Sequence, residues 1–176
     1  MTTELTGTYL TLDDGRPAVR FSRVYDHPVE RVWQFVTEAD HLAAWFPFRA
    51  RIELCPGGAV TFPDDPDMAD HPGTVIAVDP HRHLSYAWDG DELHFDLEEI
   101  DDKRTRFTLT NVLAAEDTAA RTSAGWEMCL QALDAKARGE RYEEPHAGVT
   151  APWKGVYDAY VAAGFPSGAP VPGPGA

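Results

Sequence analysis

Cysteine is nearly missing from this chain: Cys55 and Cys129 are the only two in 176 residues, and they do not form a C-x-x-C pair. That scarcity argues against a disulfide framework or a four-ligand structural zinc site. Basic residues are also short, with 15 Lys and Arg against 29 Asp and Glu, for a formal net charge of −14. A surface this acidic repels phosphate backbones and anionic lipid, so neither nucleic acid nor a membrane surface is expected as a partner. Its plain role is solubility. No apolar run approaches the ~20 residues needed to cross a bilayer. The opening MTTELTGTYLTLDDG lacks a basic n-region and an apolar h-region, so no signal peptide is expected, and a reducing cytoplasm is the expected location. A phosphate-binding P-loop, a dinucleotide glycine fingerprint and a G-x-S-x-G elbow are all absent.

What is present is periodicity. Gly7 to Leu12 and Val19 to Tyr25 read as strands joined by a turn at Asp14-Gly15. A helix then opens at Pro28, which suits a first helical position, with Asp26 or His27 as cap and Glu30 reaching back. Val29, Val32, Trp33 and Val36 fall on one face of it. A second short helix carries Leu42, Trp45 and Phe46 before Pro47. From Phe48 to Leu113 the period changes to two. Leu84, Tyr86 and Trp88 share a face, as do Leu93, Phe95 and Leu97, and then Phe107, Leu109 and Asn111. His94, Asp96, Glu98, Thr108 and Thr110 take the other face, the pattern of an antiparallel sheet with one wet side. Pro56-Gly57, Asp89-Gly90 and Asp101-Asp102 mark turns, and the Asp- and Pro-rich stretch 63–72 reads as a mobile loop.

Helical spacing returns at about 117–138, where Trp126, Leu130, Leu133 and Ala137 form a stripe. Gly125 costs about 1 kcal/mol against Ala inside a helix, which points to a close approach of backbone to sheet or ligand. A last helix carries Trp153, Val156, Tyr157, Tyr160 and Val161, a face that must dock on the body or on a partner. The length fits a single domain over residues 1–165, with its core at about 16–138 and the extra helix at about 151–164. The low-complexity residues 166–176 are expected to be disordered.

The order strand, two helices, six strands, long helix looks like the α+β helix-grip fold of the START-like and polyketide-cyclase superfamily, a curved antiparallel sheet wrapped around a long C-terminal helix. The segments HPVERVWQFVTEADHLAAWFP, LCPGG, GTVIAVDPHRHLSYAW, TRFTLTN and AGWEMCLQALDA run in the same order as in bacterial proteins related to the C-terminal domain of the activator of the heat-shock-protein-90 ATPase. Within the superfamily, that is the family this chain resembles. Many such relatives end the last strand in Leu-Thr-His, where this chain has Asn111. An amide cannot act as a general base at neutral pH, which weakens any proton-transfer role at that position.

The resemblance implies a cavity between sheet and helix. Its expected walls are Trp33, Trp45, Phe48, Phe62, Tyr86 and Trp88, together with Phe95, Phe107, Trp126 and Leu130. Asn111, a polar residue on an apolar face, is the candidate for orienting a ligand by hydrogen bond, and a satisfied structural amide is the competing reading. The expected occupant is a small apolar or aromatic molecule, with no cofactor and no metal. His81 and His83 sit in a turn with Arg82 between them and read as solvated rather than as ligands. Two alternatives remain open. One is a cyclase, dehydratase or hydrolase using Tyr86 and Asn111 on a carbonyl substrate. The other is a co-chaperone-like docking module presenting the acidic surface or the last helix. A homodimer through that helix is a further possibility.

Overall fold

Alternation along the chain builds the sheet. The computed structural model describes residues 4–63, 65–142 and 150–171. Eight strands form one antiparallel sheet: β1 (Thr8–Thr11), β2 (Pro17–Tyr25), β3 (Arg51–Ile52), β4 (Ala59–Thr61), β5 (Gly73–Asp79), β6 (His83–Trp88), β7 (Asp91–Asp101) and β8 (Arg104–Val112). Their order is β1-β2-β8-β7-β6-β5-β4-β3. Two helices, α1 (Val29–Thr37) and α2 (Ala39–Leu42), leave the sheet after β2, and α3 (Ala119–Ala137) and α4 (Ala151–Ala162) follow β8. The chain thus has the α+β helix-grip architecture that its sequence resembles.

Register puts the large apolar residues together. Leu84 faces Phe95, Tyr86 faces Leu93, Phe95 faces Leu109, and Leu97 faces Phe107. All of these are buried, whereas Asp96 and Glu98 on the opposite face are exposed. Asp89 and Gly90, at φ +52° and +86°, form the tight β6–β7 turn that the sequence predicts. Gly57, at φ +81°, does the same work in the β3–β4 connection.

Two local expectations are corrected. Pro28 is the residue before α1 rather than its first, with extended backbone, and no side chain caps this helix. His27 is used elsewhere: its Nε2 lies 2.7 Å from the Ala137 carbonyl oxygen, and its own carbonyl accepts the Thr105 hydroxyl. The tail is not disordered from 166 onward. The Pro166 carbonyl accepts from Ala120 N, Ala169 N donates to the Asp117 carbonyl, and Ala169 is buried. This strap lies across the start of α3, and the remainder of the predicted tail, 172–176, falls outside the described residues.

A buried carboxylate locks the two ends of the chain to the body. Glu127 on α3, only 1% exposed, accepts from Thr6 N at 3.1 Å, Thr6 Oγ1 at 2.5 Å and the Tyr160 hydroxyl of α4. The Tyr160 oxygen accepts from Gly7 N, and Arg23 on β2 comes within 3.5 Å of Glu127. Burying one charge is tolerable only with such partners. The sequence reading missed it, although a Glu flanked at helical spacing by buried Ala124 and Leu130 was a usable signal.

Candidate functional site

Trp45 fills the centre of the space between sheet and helix. Its ring lies 5.7 Å from Phe46, 6.1 Å from Phe95 and 6.4 Å from Phe107, and its indole N–H donates to the Phe35 carbonyl. Tyr86 packs edge-on against Phe95. The deep interior is therefore solid.

Space opens instead at one end of the grip, in a half-open cavity of about 300 Å³. One wall is a face of α3 and the turn before it: Thr118, Arg121, Thr122, Gly125 and Trp126, spaced as a helix spaces one side. Opposite stand Trp88, Asp89 and Asp91 at the β6–β7 hairpin, Asn111 near the end of β8, and Pro47 and Phe48 after α2. Of the expected cavity residues, Phe48, Trp88, Asn111 and Trp126 line this space. Trp33, Trp45, Phe62, Tyr86, Phe95, Phe107 and Leu130 are not among its lining residues and belong to the buried core cluster.

Gly125 was expected to approach either sheet or ligand, and the sheet does not come close to it. Nothing lies within 4 Å of where its Cβ would stand. The glycine accommodates no close neighbour; it leaves a gap in the helix wall, facing the cavity.

Asn111 is fully engaged. Its Oδ1 accepts from Trp126 Nε1 at 2.8 Å, and its Nδ2 donates to Asp91 Oδ2 at 2.8 Å. The other oxygen of Asp91 accepts from Ala114 N. The amide thus ties the Trp126 ring of one wall to a carboxylate of the other. Tyr86 is buried, its hydroxyl has no partner among the described residues, and burial alone pushes its pKa far up. A phenol held neutral away from the cavity does not supply acid–base chemistry there. The indole N–H of Trp88 is also buried without a partner among the described residues.

No described histidine lines the cavity. His83 pairs with Asp96 at 2.7 Å and His94 with Glu92 at 3.2 Å on the outer sheet face, and His81 turns its ring edge toward Trp33. No three His, Cys, Asp or Glu side chains among the described residues are grouped to hold a metal.

Residues 26–137 match the family described as Activator of Hsp90 ATPase homolog 1-like protein. The chain belongs to this family. Solved structures show how widely the Hsp90-activator-like fold is shared. CalU16 from Micromonospora echinospora is 23% identical, with 92% of each chain covered and a TM-score of 0.70. A conserved protein of unknown function from Enterococcus faecalis, EF2215, is 22% identical over 89% of each chain, also with a TM-score of 0.70. The BPP1335 protein of Bordetella parapertussis is 23% identical over 92% of this chain and 93% of its own, with a TM-score of 0.60. At such identities the likeness shows the fold alone. No curated protein matches the chain.

Proposed function

We propose that this member of the Hsp90-activator-like family binds a small ring-bearing molecule in the cavity between the first half of α3 and the β6–β7 hairpin. The observation that carries the reading is the gap at Gly125, walled by Trp126 and faced by Trp88 and Phe48. Aromatic walls with a few fixed polar groups are the usual make-up of a small-molecule site. A helix glycine with open space where its Cβ would stand, set in the wall of such a cavity, leaves room for a ligand ring.

The location of apolar surface favours this over a docking module built on the last helix. Trp153, Val156 and Tyr160 of α4 are buried against the body, and Tyr157 stacks on Trp153. Most of that face is covered by the chain itself, with Val161 left exposed.

Native mass spectrometry of freshly purified protein, set against its denatured mass, tests the reading. A discrete excess mass lost on denaturation supports it. A matching mass, together with no chemical-shift change on adding small arenes such as naphthalene methanol, refutes it.

A further inference from the structure

Charge at the cavity is uneven, and its arrangement narrows the ligand class. Among the described residues that line it, the carboxylates are Asp89 and Asp91 and the cation is Arg121. Arg121 lines the cavity too, with its Nη1 tied to the Pro170 carbonyl of the strap at 2.5 Å. Both Asp91 oxygens accept from neutral donors, Asn111 Nδ2 and Ala114 N. Such bonds orient a carboxylate without cancelling its charge. Asp89 projects from the exposed turn, and His71 Nδ1 lies 3.9 Å from it.

Asn111 couples this charge to an aromatic face. Through its two ends the buried amide holds the Trp126 indole and the Asp91 carboxylate in fixed relation. A ring cation attracts both at once: the indole faces through their quadrupole and the carboxylates through Coulomb attraction. The overall charge of −14 adds a long-range pull on any cation approaching the mouth.

We infer that the cavity selects a protonated aromatic amine, its ring against Trp126 and Trp88 and its ammonium toward Asp91 and Asp89. The inference rests on the ligand-binding reading above and adds the charge class of the ligand.

Three probes of one ring separate the possibilities: 1-naphthylmethylamine, 1-naphthalenemethanol and 1-naphthoate, titrated calorimetrically into the whole chain at low and high salt. The amine should bind about tenfold tighter than the alcohol at low salt, and the gap should narrow at high salt. Asp89→Asn, a turn position whose backbone Asn adopts readily, should shrink that preference, as should Asp91→Asn. Asp96→Asn and Glu98→Gln on the outer face should leave it unchanged. Equal binding of amine and alcohol overturns the charge inference and leaves the cavity reading standing. Tightest binding of the naphthoate overturns it in favour of Arg121 as the selecting group. An equal loss in the outer-face variants assigns the preference to bulk charge, which also overturns it. If none of the three binds, both readings fall.

Discussion

Gly125 is the residue where stability and the proposed function pull apart. A methyl there meets nothing and removes the conformational penalty of a mid-helix glycine, so Gly125→Ala should stabilise the fold by about 0.5–1 kcal/mol. Thermal unfolding should shift upward by about 2–4 °C per kcal/mol for a chain of this size. The same methyl enters the cavity, so ring binding should weaken; a stabilised variant with unchanged affinity would remove Gly125 from the site. Asn111 makes the opposite kind of prediction. Asn111→Leu strips an acceptor from Trp126 and a donor from Asp91, and should cost about 1–3 kcal/mol in urea unfolding. Both residues stood out in the sequence, but their roles were not legible there. Periodicity shows that a residue faces inward; it does not show whether a neighbour or a void is waiting. Gly125 was expected to approach sheet or ligand and has open space where its Cβ would stand, while Asn111 is a satisfied amide and a cavity wall together.

At the scale of elements, α4 and the strap clamp the start and middle of α3. Tyr160→Phe keeps the ring and removes only the hydroxyl that joins Glu127 to Gly7 N, and is expected to cost about 1–3 kcal/mol. Gly7→Ala should be comparably damaging, since its Cβ would stand 2.6 Å from the Tyr160 oxygen and 2.7 Å from the Phe21 ring. Matched chemical denaturation curves test both, and a wild-type midpoint for either would show that the lock contributes nothing. Cutting the chain after Phe165 should free Arg121 from the Pro170 carbonyl and expose the start of α3. Faster amide exchange confined to the first turns of α3 is the expected result. The helices themselves were readable from apolar spacing. The strap was not, because Pro- and Gly-rich composition signals irregular backbone, and irregular backbone can still be packed, as Ala169 is.

For the whole molecule, buried hydroxyls and a thiol set the alkaline limit. Burial pushes the pKa of Tyr25, Tyr86 and Tyr160 well up, with Asp134 and Glu127 adding to the effect at Tyr25 and Tyr160, and it pushes Cys129 up to about 12. In the unfolded chain these groups ionise near their ordinary values of 10.0 and 9.0, so there the unfolded state begins to bind fewer protons than the folded one. Their contribution is therefore complete below that range and is lost as pH rises through the folded values. Denaturation midpoints should hold up to about pH 9 and then fall steadily. Phenolate absorbance from these tyrosines should appear together with loss of far-UV circular dichroism; ionisation near pH 10 with the fold intact would contradict it. The overall grip was legible because a two-residue period followed by a helical one survives any detail of packing. Contacts between distant segments leave no such trace: the inward place of Glu127 was readable from helical spacing, but its partners Thr6 and Tyr160 were not.

That lock also orders events during synthesis. Thr6 and Glu127 are 121 positions apart, and Gly7 and Tyr160 are 153 apart. Contacts this distant close late, because the intervening loop must be ordered first. A nascent chain that has not yet released Tyr160 from the ribosome already has every strand of the sheet, but Glu127 still lacks the hydroxyl of α4. The segment around Thr6 that meets the same carboxylate is made before α4 and has to wait for its neighbour on Glu127. Completion of this fold therefore waits for α4 to emerge and dock.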